Sequence, residues 1–318
     1  MVTKEGGIKP PHLSVLYQEI LTALEPAAHR RYVDATVGAG GHAWGILDAS
    51  SPDGELLGLD IDNDALEIAS QRLASFQDRV HLVHSSYSSL SRVLLAIGWD
   101  FVDGIVIDLG VSSMQIDMPQ RGFSFLKEGP LDMRFDPSQP VSAADIVNKY
   151  PEAEIADILF KYGEERRSRQ IARAIVQARP LDTTLELANV IQRAAGKSSG
   201  KIHPATRSFQ ALRIAVNQEL QSLEDFLPQG VEALRPGGRM AVIAFHSLED
   251  RIVKQYFRRE SKDCICPPEQ PDCTCGHKAT IREINRHPIV AGEDEKQNNP
   301  RARSAHLRII EKLEQQPG

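Results

Sequence analysis

Asp34-Ala35-Thr36-Val37-Gly38-Ala39-Gly40-Gly41-His42 is followed further along by Leu57-Gly58-Leu59-Asp60. In the first stretch an apolar run closes on an acid, breaks into glycines and resumes as a helical pattern. In the second, another apolar run closes on an acid about 20 residues past the glycines. A doubly wound α/β domain builds a nucleotide pocket in this way. The glycines let the backbone approach the ligand, and the acid ending the second strand accepts hydrogen bonds from a ribose. Gly38-x-Gly40-x-x-Ala43 also satisfies the dinucleotide fingerprint, with Ala in place of the third Gly. The pattern therefore selects a nucleoside-containing cofactor and leaves its identity open.

Outward from this stretch, strand and helix alternate. Strands are expected at 32–36, 55–59, 80–83 and 104–107, with helices at 42–49, at 64–76 and around Leu90, Val93, Leu94 and Ile97. Strands separated by helices imply a parallel sheet, because each crossover must return over a sheet face. From about Met118 to Asn217 the pattern turns helical, with helices expected at 143–149, 152–162, 168–177 and 184–195 and a long one from about Pro204. Leu234-Arg-Pro-Gly-Gly238 reads as a turn, 239–245 as a fifth strand, 249–259 as a helix, and 280–284 and 306–310 as closing strands. The expected organisation is one α/β domain from 1–117 and 215–318, interrupted by a helical insertion, 118–214, at the ligand-binding edge of the sheet.

Composition sets the limits. The 318 residues are 41% hydrophobic and 25% charged, as in a globular protein. There is no signal-peptide pattern and no apolar run long enough for a bilayer, so a cytoplasmic protein without membrane attachment is expected. A net charge of −6 excludes gross attraction to a polyanion, yet phosphate contacts need only a local patch. Nothing in the pattern decides the oligomeric state; a homodimer is allowed.

The cysteines form Cys264-x-Cys266 and Cys273-x-Cys275, with His277 beyond. Four thiolates closing a Pro-rich loop suit a structural zinc ion, although one intervening residue is tighter than the usual two to four. Free thiols in a loop are the main alternative, and disulfides suit a cytosolic chain poorly.

The expected carboxyl ends of the strands gather Gly40, Gly41, His42, Asp60, Tyr87 and Asp108. Asp60 is expected to take ribose hydroxyls, and Tyr87 to lie against an adenine face. His42 is expected to contribute its backbone N–H, since the positive helix start disfavours imidazolium. Asp108 ends an Ile-Val-Ile run and must emerge at the edge or be buried at a cost of several kcal/mol. His246 adjoins Ser247, but no acid is obviously placed to complete a hydrolase triad.

Seven segments resemble one family: Asp34-x-Thr-x-Gly-x-Gly-Gly-His42, Asp108-Leu-Gly-Val-Ser-Ser-x-Gln115, Arg121-Gly-Phe-Ser-Phe125, Pro130-Leu-Asp-Met-Arg134, His203-Pro-Ala-Thr-Arg-x-Phe-Gln-Ala-Leu-Arg213, Phe245-His-Ser-Leu-Glu-Asp-Arg251 and Asn299-Pro-Arg-Ala-Arg-Ser-Ala305. In this order they resemble the bacterial 16S ribosomal RNA cytosine N4-methyltransferases (MraW or RsmH). The resemblance implies a class I S-adenosylmethionine-dependent, Rossmann-like fold with a helical recognition domain. It also implies methylation of the exocyclic N4 of a cytidine in the decoding region, with 16S ribosomal RNA or the small subunit as partner. Carried over by motif, the cofactor contacts are Gly40, Gly41, His42, Asp60, Asp108 and Gln115, and Tyr87 stands where the family often has Phe. Asp108, or a backbone carbonyl in 109–113, is the expected N4 proton acceptor. Ser112 and Ser113 are candidates for orienting the base. Arg134, Arg207, Arg213, Arg301 and Arg303 are candidates for RNA contacts, some of them as structural ion pairs instead. The resemblance supplies no role for the cysteines.

Two rivals stand beside this reading. An NAD-type oxidoreductase is permitted by the glycine fingerprint, but no second nucleotide-binding half follows the fourth strand. A non-catalytic ribosome-assembly factor is opposed by the intact Gly40, Gly41, Asp60 and Asp108.

Overall fold

The computed structural model describes residues 14–196, 203–267, 269–270 and 272–314. The chain runs α1 (Tyr17–Leu24), β1 (Arg31–Asp34), α2 (Gly41–Ala49), β2 (Glu55–Asp60), α3 (Asn63–Leu73), β3 (Val80–His84), α4 (Leu90–Ala96) and β4 (Val102–Asp108). Six helices follow: α5 (Ser113–Asp117), α6 (Ala143–Lys149), α7 (Glu152–Gly163), α8 (Ser168–Ala178), α9 (Thr184–Ala195) and α10 (Ala205–Asn217). The chain then continues through α11 (Glu219–Ala233), β5 (Leu234–Ala244), α12 (Ser247–Glu260), β6 (Ile281–Glu283), α13 (Glu293–Asn298) and β7 (His306–Lys312). It divides into two compact units, Met1–Gly110 with Ser222–Gly318, and Val111–Gln221. No helix among the described residues is long and apolar enough to cross a membrane.

The first unit is a seven-stranded sheet in the order β3-β2-β1-β4-β5-β7-β6. The first five strands are parallel, while β7 runs antiparallel to both β5 and β6. The order reverses between β1 and β4, so their carboxyl ends form the crevice where open α/β sheets take ligands. Val102 to Ile107 are buried without interruption, as expected of a central parallel strand covered on both faces.

Alternation assigns the two faces. Val33, Leu57, Leu59, Ile105, Ile107 and Val242 point into a core completed by Leu223, Phe226, Leu227, Val253 and Phe257. Tyr32, Leu56, Val106, Ala241 and Ile243 point the other way, onto Ile20, Leu24, Ile46, Leu47 and Leu73. Each such buried aliphatic side chain contributes roughly 1.5–3 kcal/mol. The sheet is thus clamped by helices on both sides, which bears out the α/β fold class.

Residues 234–238, expected to turn, belong to β5. The pairing steps from Val102–Leu234 to Gly104–Arg239, so Pro236-Gly237-Gly238 bulges within the strand, with Gly237 at φ +77°. A second difference lies at Gln218, whose left-handed φ of +50° divides the expected long helix into α10 and α11.

The second unit is all helical. Its core gathers Ile146, Ile155, Leu159, Ile171, Ile175, Leu187, Ile191 and Leu212, with α7 packed on both α8 and α10. Reciprocal capping boxes start α6 (Ser142 with Asp145) and α9 (Thr183 with Glu186), each satisfying two otherwise orphaned backbone donors.

Candidate functional site

The site is built from the turn after β1. Gly40 sits at φ +76° as the N-cap of α2, a conformation that costs other residues strain, and a Cβ on Gly41 would collide with the Ser14 hydroxyl. The turn is pinned from three sides. The Val37 N–H donates to the Leu59 carbonyl at 2.8 Å, the Gly38 N–H donates to Asp60 Oδ2 at 2.8 Å, and Arg72 Nη1 donates to the Ala39 carbonyl at 3.2 Å. The other Asp60 oxygen accepts the Asp62 N–H at 2.9 Å.

Three acids stand at neighbouring strand ends: Asp34 on β1, Asp60 on β2 and Asp108 on β4. Asp34 is 1% exposed, and its carboxylate accepts the N–H groups of Thr36 and Ala43 at the start of α2. The Asp108 N–H donates to Thr36 Oγ1 at 2.7 Å, which fixes the end of β4 beside that of β1. Asp108 as a residue is partly exposed, yet its Oδ1 is shielded from solvent and has no hydrogen-bond partner among the described residues.

Burial governs the electrostatics. It pushes Asp34 up to about 7, with Asp60 adding to the effect and the Thr36 and Ala43 N–H groups opposing it. Burial also raises Asp60, against the N–H groups of Asp62 and Gly38. Asp108 is raised well above the ordinary carboxyl range by burial, then by the charges of Asp34 and Glu249, while Arg301 pulls it down. Mutually repelling carboxyls around one edge make a place where a cationic ligand is favoured.

The His42 side chain has a structural task. The residue is 5% exposed, Nε2 donates to the Val15 carbonyl at 2.9 Å, and burial lowers its pKa to about 4, which favours the neutral imidazole. Its backbone N–H remains at the helix start. Tyr87 is half-buried, its ring edge-on to Phe226 with centroids 5.5 Å apart.

Ser112 and Gln115, in the helical unit, satisfy each other. Ser112 Oγ accepts the Gln115 N–H at 3.2 Å and Gln115 Oε1 accepts the Ser112 N–H at 3.0 Å, forming the capping box of α5. The capping box uses Ser112 Oγ and Gln115 Oε1 as acceptors and holds both side chains at the start of α5. The Ser113 side chain lies outside those described.

The arginines separate into two groups. Arg134 grips Asp132 through two contacts of 2.9 and 2.7 Å and donates to the Gln139 carbonyl at 2.7 Å. Arg213 grips Glu219 at 2.8 and 2.9 Å, with both side chains largely buried. Both arginines form ion pairs within the helical unit, the structural alternative expected for some of the candidate arginines. Arg207 and Arg303 are exposed, whereas Arg301 is half-buried and close enough to Asp108 to lower its pKa.

Some residues escaped the sequence reading. Asp34 takes no assigned role from the sequence pattern, although its place as the last residue of an apolar strand is a signal for one. Glu249 lies 3.0 Å from His246 Nε2, supplying the acid that seemed missing, but the two form the capping box of α12 instead of a triad. The cavity lined by His29, Arg31, Asp53, Glu55, Phe101, Asp103 and Arg235 is at the opposite, amino edge of the strands and has no part in this site.

Comparison with known proteins decides the family, because the sequence profile of the MraW methylase family matches residues 9–313. The chain belongs to the MraW methylase family. A MraW relative from Dehalococcoides mccartyi (strain 195), named ribosomal RNA small subunit methyltransferase H, is 51% identical over 97% of this chain and 88% of its own. Proteins of the same name from Geobacter sp. (strain M21) and Geobacter sulfurreducens are each 52% identical over 95% of this chain, and over 98% and 99% of their own lengths. Among solved structures, a rRNA methylase from Streptococcus thermophilus aligns with a TM-score of 0.43 and 11% identity, covering 97% of this chain and 100% of that one. The resemblance carried by the seven segments is thereby borne out.

Proposed function

We propose that this chain methylates the exocyclic N4 of a cytidine in the decoding region of 16S ribosomal RNA, with S-adenosylmethionine as methyl donor. The observation that carries this reading is the likeness, near half identity and almost full length, to proteins named ribosomal RNA small subunit methyltransferase H. The acids at the strand ends agree with it, since a sulfonium-bearing nucleoside brings positive charge to the edge where Asp34, Asp60 and Asp108 gather. The site residues therefore fit this cofactor.

S-adenosylmethionine, when bound, supplies an electrophilic methyl group on sulfur. Gly40 and Gly41 would hold it through backbone contact, Asp60 through ribose hydroxyls using its remaining lone pairs, and Tyr87 through its ring. The cytosine N4 lone pair is delocalised into the ring, so the protein's contribution is first to position the amine. Asp108 then takes the N4 proton, since burial has made its carboxylate more basic. Exposed Arg207 and Arg303 hold RNA phosphates. Such a substrate puts the work in the cytoplasm.

The purified chain is incubated with radiolabelled S-adenosylmethionine and either naked 16S RNA or small-subunit particles from a strain lacking the modification. Nucleoside mass spectrometry is expected to find N4-methylcytidine in one of the two. Its absence from both, with intact cofactor binding, would support the non-catalytic assembly factor instead.

A further inference from the structure

Between the end of α12 and the start of β6 the chain makes an excursion whose base is closed by the Thr280 N–H donating to the Glu260 carbonyl at 2.9 Å. Its described residues form no helix or strand, and its one large apolar residue, Ile265, is exposed. A loop of this length without a core of its own needs something else to hold it.

The four cysteines meet there. Their Sγ atoms all lie within 4.8 Å of one another, with Cys273–Cys275 at 3.6 Å and Cys275–Cys264 at 3.9 Å. A tetrahedron with Zn–S bonds of about 2.3 Å has S–S edges of about 3.8 Å. The sulfurs are therefore spaced as ligands of one ion, although none is in a disulfide.

The backbone points the same way. The Cys266 N–H donates to Cys264 Sγ at 3.4 Å, and the N–H groups of Ile265 and His277 both donate to Cys275 Sγ at 3.5 Å. Amide donors aimed at sulfur stabilise thiolates and orient them, as outer partners do around bound metals. One residue between the cysteines of each pair does not keep the four sulfurs apart. His277 is outside the set: its Nε2 faces the Arg259 carbonyl at 3.2 Å.

We infer that Cys264, Cys266, Cys273 and Cys275 form a closed tetrathiolate site for one structural zinc ion. Four protein ligands leave no open position for water or substrate, so the ion staples the loop and does no chemistry.

Full-length protein, purified anaerobically with reductant, is expected to carry about one zinc per chain, released by a mercurial that caps thiols. Cobalt in place of zinc is expected to give the intense visible bands of a tetrahedral thiolate site and a near-ultraviolet charge-transfer band. Cys264→Ser and Cys275→Ser are each expected to weaken metal binding roughly tenfold or more. Should these variants fail to fold, the cobalt spectrum of the unaltered chain still decides. Four freely titrating thiols after zinc reconstitution, a cobalt spectrum without thiolate character, or a disulfide recovered from the anaerobic protein would each overturn the assignment. All these readouts are independent of methyl transfer.

Discussion

Asp60 Oδ2 accepts the Gly38 N–H at 2.8 Å, tying the end of the second strand to the glycine turn that follows the first. One carboxylate thus shapes the turn, accepting a backbone N–H on each oxygen. Asp60→Ala is expected to lower S-adenosylmethionine affinity roughly 10- to 100-fold, because hydrogen bonds to a charged group contribute about 1.5–3 kcal/mol. Titration calorimetry reads this directly. Unchanged affinity would remove Asp60 from the cofactor site.

Asp34, raised to about 7, gives a pH dependence whose sign can be worked out. Between the ordinary carboxyl value of 3.8 and about 7 the folded protein keeps a proton that the unfolded chain releases. Stability therefore falls as pH rises through that window and levels off above it, by at most about 4 kcal/mol. His42 acts oppositely: lowered to about 4, it loses stability as pH falls below 6.5. The two offset each other in the raw profile, so the comparison must be between variants. Asp34→Asn is expected to raise the Tm of the unliganded protein at pH 8 relative to the unaltered chain, and to have little effect at pH 4. It is also expected to reduce the Tm gain on adding S-adenosylmethionine at pH 8. Parallel Tm–pH curves for the two proteins would contradict this.

The glycine turn was legible because its signals are local. Glycines at a strand end and an acid at the next strand end are constrained by the turn itself, and Asp34 to His42 and Asp60 are placed accordingly. The bulge at Pro236-Gly237-Gly238 was not legible, since those residues make a turn or a bulge depending on whether a neighbouring strand pairs across them. The break at Gln218 carries no Gly or Pro to announce it. Among the arginines, the separation of braces from exposed cations depends on carboxylates that folding brings alongside. Arg213 and Glu219 are six residues apart, a spacing that no helix brings face to face, and they meet only because α10 ends between them. Arg308 illustrates the same point at longer range: it grips Asp250 of α12 at 2.7 and 3.0 Å, 58 residues away.

Arg301 and Arg303 share one short turn but should behave differently. Arg303 is exposed, so Arg303→Ala is expected to weaken RNA binding and reduce the salt slope by about one, leaving cofactor affinity unchanged. Arg301 lowers the pKa of Asp108, so Arg301→Ala is expected to shift the pH profile of methyl transfer toward higher pH. Filter binding at several salt concentrations and a rate–pH profile separate the two. Identical effects on both readouts would mean that the turn acts as a unit.

Arg213 and Glu219 offer a test of bracing against RNA contact. Glu219 is 6% exposed, so Arg213→Ala leaves a carboxylate with its bidentate partner removed. Losing one member of a largely buried pair costs about 3 kcal/mol or more, whereas replacing both with apolar residues of similar volume is often neutral. Arg213→Met alone is therefore expected to lower the denaturant midpoint, and adding Glu219→Leu to restore most of it. RNA affinity in the folded double variant is expected to match that of the unaltered chain. A double variant that folds normally but loses RNA affinity, with a shallower salt dependence, would return Arg213 to the RNA interface.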